Sequence, residues 1–403
     1  MHFAAIATAG FFIFSTLLAL AWLWQACCAL RGIPTLTDLT QLADPPSRFV
    51  SDASTGPDIT VVVPACNEEA SIEATLRSLL ASKGLRIQIL AVNDRSTDST
   101  GERMERVASE AAAAGGPQAL QVLHISELPN GWLGKPYAMA QAAAQAQGKW
   151  VLFTDGDLLF APDALARALS YAESERADHL VLVPTLIVRS RGERAMQAAM
   201  QVLAQWTVRL WKVADPRARD FVGLGGFNLF RREAYRSVGG YESLRMEVLD
   251  DVRMGWKIKR AGFRQRVAFG PGLVRIRWFH GAFSVVRLVE KNGFACYRFR
   301  PLLHVLASLG LSVLAVAPLA ALACGGWTAV AGAVCLLATV LDYWAHRRLT
   351  QAPAWMALLF SPCAAVITYA FLRSMVLAEV RGGIRWRGTH YPLHTLREHS
   401  GRW

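Results

Sequence analysis

Apolar residues are distributed along this chain in two ways. At four places they run on almost unbroken: Met1–Leu30, which holds no Asp, Glu, Lys or Arg, then Leu302–Cys324, Trp327–Val340 and Ala354–Ala378, the last interrupted by Pro362. Crossing the bilayer core takes roughly 20 apolar residues, so the pattern predicts a transmembrane helix over 1–30 and membrane segments over 302–380. Between them, over 58–278, short apolar runs alternate with amphipathic stretches. Ile59–Val63, Ile87–Val92, Leu120–Ile125 and Trp150–Phe153 read as buried strands. Ala70–Ser82, with Ile72, Leu76, Leu79 and Leu80 at helical spacing, the stretch ending near Ala114, and Pro136–Gln147 read as helices. Strand–helix alternation predicts an α/β domain whose mostly parallel sheet is covered by helices on both faces.

The remaining segments are connectors. Residues 31–57 form a linker with Pro34, Pro45, Pro46 and Pro57, and residues 381–403 a basic tail. In 279–301, Phe279, Phe283, Val286, Leu288, Phe294 and Tyr297 interleave with Arg287, Lys291 and Arg298, the pattern of an amphipathic helix lying on a membrane. Arg189–Arg219 predicts a helix with Met196, Met200, Leu203, Trp206, Leu210 and Trp211 along it and Arg209, Lys212, Arg217 and Arg219 closing it; it fits an interfacial helix or a core-facing one.

Charge adds orientation. With 43 Lys and Arg against 31 Asp and Glu, the net charge is +12, and mean hydropathy is +0.25. Alongside four apolar segments, this excess reads as cytoplasmic flanks and attraction to anionic lipid rather than nucleic-acid binding. Arg31, Arg298 and Arg300 place the 58–278 domain in the cytosol, Gly325-Gly326 outside and His346-Arg347-Arg348 inside. A simple fourth span would leave the basic tail outside, so Ala354–Ala378 is expected to re-enter near Pro362 or to lie in the interface. A secretory signal is disfavoured: no basic residue precedes the first apolar run, and Trp22, Trp24 and Gln25 spoil a small-residue cleavage site. Of the seven cysteines, five lie in the apolar stretches, and their spacing suggests neither a metal site nor a disulfide framework.

The candidate chemistry follows the strands. Asp155-Gly156-Asp157 comes directly after Trp150–Phe153, and two carboxylates at a strand's end can share a hard divalent cation, Mg²⁺ or Mn²⁺, whose shell a substrate phosphate completes. Taken alone, Asp-Gly-Asp is also an ordinary turn. Pro64-Ala65-Cys66-Asn67-Glu68-Glu69 and Asn93-Asp94-Arg95-Ser96-Thr97-Asp98-Ser99-Thr100 follow two other strands, and ligands of parallel sheets bind at that edge. The absence of glycine from Pro64 to Ala70 disfavours a dinucleotide-binding oxidoreductase. Lys135, after Gly131 and Gly134, stands near a helix N-terminus where it can meet a phosphate or simply be solvated. Asp250-Asp251 opens another helix; paired acids there are dipole partners, or one of them is a general base.

Together these elements resemble the membrane-bound family 2 glycosyltransferases of GT-A fold: Pro64-x-x-Asn67-Glu68, Asn93-Asp94-x-Ser96-x-Asp98-x-Thr100, Gly134-Lys135, Asp155-x-Asp157, Gly225-Gly226 and Asp250-Asp251 occur in the family's order over roughly Ile59 to Trp278. The resemblance implies that the Pro64–Glu68 loop and Asp94 hold the nucleotide base and ribose. It implies that Asp155 and Asp157 hold the metal and diphosphate, with Lys135, Asp98, Gly226, Arg277 and Trp278 completing the donor site. Asp251 takes the general base's place, with Asp250 where the family has Glu. Arg277-Trp278 matches the end of the processive members' Gln/Arg-x-x-Arg-Trp, but Val274 stands where Gln or Arg belongs.

The implied function is an inverting transfer of sugar from a nucleotide-diphosphate sugar, a UDP-sugar first, to a hydroxyl of a membrane lipid. It would occur at the cytosolic face of a bacterial inner membrane, in the manner of ceramide- and hopanoid-associated enzymes. The alternatives are a processive polysaccharide synthase of the same family and a membrane scaffold with an inactive transferase domain. The sequence does not specify an oligomeric state.

Overall fold

The structure, a computed structural model, describes residues 2–45, 56–116 and 118–400. Residues 46–55 of the expected linker, Pro46 among them, and 401–403 of the expected tail lie outside the described residues.

Helix α1 (His2–Gly32) leads into the two-residue strand β1 (Thr37–Asp38). The domain proper begins with β2 (Ile59–Ala65), α2 (Ile72–Leu80), β3 (Ile87–Asp94), α3 (Thr100–Ala114), β4 (Ala119–Ile125), α4 (Gly134–Ala144) and β5 (Trp150–Phe153). It continues through β6 (Leu158–Phe160), α5 (Ala164–Ser174), β7 (His179–Val183), β8 (Thr185–Leu186) and α6 (Arg191–Gln205). Then come β9 (Asn228–Arg231), α7 (Arg232–Ser237), α8 (Asp250–Arg260), β10 (Gln265–Phe269) and β11 (Val274–Ile276). The C-terminal part is α9 (Val285–Ala295), α10 (Pro301–Ala323), α11 (Gly326–Thr350), α12 (Phe360–Val380), β12 (Gly383–Trp386), β13 (Thr389–Pro392) and α13 (Leu393–His399).

The main sheet has the order β1-β10-β7-β9-β5-β2-β3-β4 and is parallel except for β9, which runs antiparallel between β5 and β7. Strand alternation sorts the core. Ile59, Val61 and Val63 of β2 point to one face, with Ile72, Leu76 and Leu79 of α2. Val62 points to the other, with Leu90, Val92, Val151 and Phe153, where Ala138, Met139 and Ala142 of α4 cover it. Pairing Ala65 with Asn93, Asp94 with Ile125 and Val62 with Phe153 aligns the carboxyl ends. The polar loops that follow therefore share one edge.

Two sequence expectations change. The helix expected over Arg189–Arg219 stops at Gln205, and Leu210–Lys212 is a separate 3-10 turn. Arg209 between them is extended and its N–H goes to Asp220 Oδ1 at 2.8 Å. Trp211 instead packs against Gly32, where its ring fills the space a Cβ would need. Helix α6 buries Ala195, Met196, Ala199 and Val202 in one cluster with Trp22 and Phe360, so it lies under the apolar helices rather than on the sheet. The tail, expected to be a plain basic extension, folds into the β12–β13 hairpin, whose two-residue turn Arg387-Gly388 has both φ angles positive (48° and 79°), the geometry hairpins favour.

Among the described residues, four helices are long and apolar enough to cross a membrane by length and composition: Ile6–Thr35, Pro301–Ala323, Gly326–Thr350 and Ala354–Val380. Their packing gives their directions. Ala29 of α1 and Ile33 just after it pack with Ala345 and Leu349, so α1 and α11 run parallel. Helix α12 runs antiparallel to α10: Ser361 Oγ donates to the Ala315 carbonyl at 2.7 Å, and His304 Nε2 contacts the Phe371 carbonyl at 2.9 Å. From His304 to Ala315 is about 16 Å of helix, and Phe360 meets Trp22 ring to ring at 5.3 Å, ten residues before the end of α1. Residues 354–359 therefore climb part-way along the bundle, and α12 returns from there. The return ends on α9, where Glu290 binds Arg373 and Arg381 at 2.5 and 2.8 Å and the Ser374 hydroxyl bridges the Glu290 carbonyl and Phe294 N–H. A full crossing by 354–380 would put the hairpin on the side opposite the sheet; the path seen keeps it on the sheet's side. In an otherwise cysteine-free chain in membranes, Ser174→Cys and Glu398→Cys should label from the same side and retained Cys324 from the other. Labelling of Glu398→Cys together with Cys324 would contradict the re-entrant path.

Candidate functional site

At the carboxyl edge, β5 ends in a turn pinned on both sides. Thr154 N–H binds the Val62 carbonyl at 3.1 Å, and its hydroxyl binds the Gly226 carbonyl at 2.8 Å. The Gly156 carbonyl accepts Thr75 Oγ1 at 3.0 Å from α2. These bonds send Asp155 and Asp157 in different directions. Lys135, in the first turn of α4, donates to Asp155 Oδ1 at 2.5 Å. Gly225 marks where the groups converge: a Cβ built there would stand 2.8 Å from Asp155 Oδ2, 3.2 Å from Lys135 Nζ and 3.3 Å from Asp251 Oδ2. Gly223 is equally constrained, since a side chain there would collide with the Asp251 carbonyl. The glycine segment is thus small because α8 and the Asp155–Lys135 pair press on it.

Adjacent Asp250 and Asp251 have different surroundings. Asp251 Oδ1 caps the Val252 N–H at 2.8 Å while Oδ2 turns toward Gly225. Asp250 is buried, and its Oδ2 has no hydrogen-bond partner. Burial pushes Asp250 up to about 7, Lys135 opposing and Asp251 adding to the rise. Asp157 is likewise pushed up to about 7, by burial and then by Asp155 and Glu68, and its Oδ1 is buried without a partner. Burial works against the charge on Lys135, but Asp155, Asp250 and Asp251 outweigh it and hold the ammonium above its ordinary range. Among the described residues no three His, Cys, Asp or Glu side chains form a metal-binding set. A cation here would have Asp155 and Asp157 as its protein ligands, and a diphosphate would have to supply others. The unpartnered Asp157 oxygen and the surplus of carboxylate over ammonium fit such an ion.

The other expected residues spread along the same edge. Pro64 is buried at the end of β2. Asn67 takes a left-handed φ of 55°, and its side-chain oxygen accepts the Thr97 N–H at 2.8 Å. Asp98 is engaged inside its loop, accepting Thr100 N–H at 3.0 Å and Glu69 N–H at 3.2 Å. Asp94 is buried and clasped by Arg95 at 2.7 Å, against Gly134. Gly226 sits between Leu158 and Pro184. Arg277 turns to Glu193 of α6 at 3.9 Å, with its Nε buried and unpartnered, and Trp278 is partly exposed. Val274 is a buried strand residue opposite Phe160.

The sequence reading missed the C-terminal hairpin. Arg387 forms an ion pair with Glu68 Oε1 and reaches the Asn67 carbonyl at 3.4 Å; Thr389 Oγ1 accepts from Arg95 at 3.4 Å; the Tyr391 hydroxyl accepts the Gly134 N–H at 3.3 Å. Lys291 Nζ lies 3.7 Å from the centre of the Trp386 ring. Burial pushes this ammonium down to about 8 against the pull of Asp250. Lys291, one of the basic residues of the expected membrane-surface helix, faces the carboxylates. The sequence signal that could have found the hairpin is the period-2 flanking of Arg387-Gly388 by Ile384/Trp386 and Thr389/Tyr391.

Comparison with known proteins shows what this chain is similar to. The model for Glycosyl transferase family 2 matches residues 60–239. The chain is 21% identical over 239 residues to a 4,4'-diaponeurosporenoate glycosyltransferase of Staphylococcus haemolyticus, covering 58% of this chain and 60% of that protein. It is 24% identical over 243 residues to a poly-beta-1,6-N-acetyl-D-glucosamine synthase of Staphylococcus aureus, covering 57% and 55%. It thus spans less than two thirds of the length of these relatives. A mannosyltransferase of Pyrobaculum calidifontis, solved in complex with GDP-Man and Mn²⁺, superposes with a TM-score of 0.54 at 21% identity over 92% of this chain and 97% of its own. Residues 60–239 thus match the family 2 glycosyltransferase model, and the fold is GT-A, as the sequence reading expected.

Two outcomes follow from the site's electrostatics. Asp157 has a raised pKa, so it is protonated below about 7, and a cation must displace that proton. Mn²⁺-dependent nucleotide binding should therefore tighten as pH rises from about 6 to 8, and Asp157→Asn should weaken it and flatten that rise in a calorimetric titration. Gly225→Ala, which puts a methyl against both the Asp155 carboxylate and the Lys135 ammonium, should weaken nucleotide binding about tenfold with unchanged circular dichroism.

Proposed function

We propose that this chain, whose residues 60–239 match the Glycosyl transferase family 2 model, is an inverting, divalent-cation-dependent transferase that moves a sugar from a nucleoside-diphosphate sugar to a hydroxyl of a membrane lipid. The convergence of Asp155, Lys135 and Asp251 on Gly225 carries this reading. It brings a diphosphate-binding pair and a candidate base within one side chain's width of each other. Asp155 and Asp157 would hold Mg²⁺ or Mn²⁺, and the bound ion would supply the positive charge on which the departing diphosphate develops its own. The Pyrobaculum mannosyltransferase, solved with Mn²⁺, supports a divalent ion.

In the proposed mechanism Lys135 positions Asp155 and adds positive charge toward the leaving group. Asp251 Oδ2 accepts the proton of the attacking hydroxyl. Asp250, buried behind it and protonated to about 7, leaves Asp251 as the carboxylate that faces the acceptor. Asn67, Glu68 and Asp94 lie on the strand edge where the base and ribose are proposed to bind, with UDP the first nucleotide to test. Arg387 and Lys291 border it from the C-terminal side.

A lipid acceptor is supported by the attachment. Helices α6 and α9 connect the domain to the apolar helices, and the strand that ends in Ile276 leads directly to Trp278 and α9. The similarity to the staphylococcal polysaccharide synthase favours a processive product as second reading. Against it stands Val274, whose side chain is core rather than the polar group of the processive motif. In membranes given labelled UDP- and GDP-sugars, the label should move into a discrete chloroform–methanol-soluble species. Label confined to a solvent-insoluble polymer would replace this reading with the synthase. Asp251→Asn should cut transfer by about 10²–10⁴-fold and leave nucleotide binding within about twofold of wild type, since the base acts on the acceptor.

A further inference from the structure

A cavity of about 340 Å³ opens where the end of α1 meets α6 and the 3-10 turn after it. Trp24, Gln25, Gln205, Trp206, Arg209 and Arg219 line it, whereas Lys135 and the candidate catalytic carboxylates do not. Its floor is a side-chain bridge: Gln205 Nε2 donates to the Gln25 carbonyl at 2.9 Å and to Gln25 Oε1 at 3.2 Å. One wall is Arg209, held in place by Asp220 through Nε and NH2 at 3.2 and 2.7 Å. Trp206 packs edge-on against Trp22 at 5.2 Å behind the other wall. Arg219 is exposed and has no hydrogen bond or ion pair with the described residues.

The surface leading to this cavity is apolar. Ile13, Leu17, Leu20 and Trp24 follow one another at spacings of four, three and four along α1, which puts them on one face, and each is more than half exposed. The stripe ends at the cavity mouth, about two turns before Arg31 and Gly32. Tryptophan and basic side chains at the end of an apolar helix mark headgroup depth. An apolar track ending in a polar cavity with an unneutralised guanidinium has the two-part chemistry of a single lipid molecule.

We propose that this cavity binds the headgroup of an anionic phospholipid, its phosphate on Arg219 and its acyl chain along Ile13–Trp24. The site is separate from that of the acceptor and depends on the membrane placement of α1, not on the transfer reaction. It also bears on the glycine segment. Asp220 adjoins Arg219, Gln265 Oε1 holds the Val222 N–H at 3.1 Å, and Gly223 abuts the Asp251 carbonyl. A lipid on Arg219 would brace the start of the segment that carries Gly225.

The test uses the full-length protein in mild detergent, with phosphatidylglycerol or phosphatidylcholine of identical chains added before native mass spectrometry. Wild type should retain one phosphatidylglycerol in preference to phosphatidylcholine, and millimolar inorganic phosphate should not displace it. Arg219→Gln should lower that retention about fivefold and Arg219→Glu more, while Arg236→Gln, an exposed charge elsewhere, should not change it. Equal retention of the two lipids by wild type, displacement by free phosphate, or unchanged retention in a folded Arg219→Gln protein would overturn the proposal. The wild-type comparison stands even if a variant fails to fold.

Discussion

Lys135 lies among Asp155, Asp250 and Asp251, and Asp157 is half-buried close by, with its Oδ1 enclosed. Charges taken out of water are stable only when paired, hydrogen-bonded or neutralised. This edge sets four aspartates, Asp155, Asp157, Asp250 and Asp251, against two lysines, Lys135 and Lys291. Two of its acids, Asp157 and Asp250, hold protons to about 7. That surplus defines the site, because it is relieved either by protons or by an added cation. In the proposed function a nucleoside diphosphate would join the site together with such a cation, since its own charge would otherwise add to the excess. The same logic separates two neighbouring aspartates by environment: Asp250 is enclosed, while Asp251 accepts the Val252 N–H with one oxygen and keeps the other toward the glycine segment.

Much of the scaffold exists to hold that edge in register. The parallel alignment of β2, β3 and β5 brings three polar loops level, and α4 delivers Lys135 onto the first carboxylate. The apolar helices contribute through connectivity. Because 354–380 climbs part-way and returns, the chain end comes back to the sheet's side, and Arg387, Thr389 and Tyr391 contact the Asn67–Glu68, Arg95 and Gly134 positions. The C-terminus thus acts as part of the site's wall, with Lys291 held between the hairpin's Trp386 and the acidic cluster.

The sheet was legible in the sequence because strands buried on both faces are written as continuous apolar runs, and Ile59–Val63 and Trp150–Phe153 are such runs. The Asp155, Asp157 and Asp251 positions were legible because acids directly after strands or at helix starts are conspicuous there. Three features were not. Strand β9 runs antiparallel, and nothing local in Asn228–Arg231 states its direction; its place depends on β5 and β7 on either side. The helix ending at Gln205 reads on toward Trp211 by spacing alone, but the Arg209–Asp220 clamp turns the chain. The hairpin at 383–392 is short and half-buried, and its contacts are long-range polar bonds to residues some 250–320 positions away in the chain, which periodicity does not register. Lys291 illustrates the same limit: helical spacing gives its face, and only packing shows that the face looks onto carboxylates.

The claim at the centre of this account is that Asp155, Asp157 and a nucleoside diphosphate share one divalent ion. Electron paramagnetic resonance of Mn²⁺ added to the full-length protein reads this directly, because immobilised Mn²⁺ loses the six-line signal of the free ion. Wild type should bind Mn²⁺ weakly alone and strongly once UDP or GDP is added, and Asp155→Ala and Asp157→Ala should each abolish the increase. Mn²⁺ binding that is indifferent to the diphosphate, or that survives in both variants, would contradict the account.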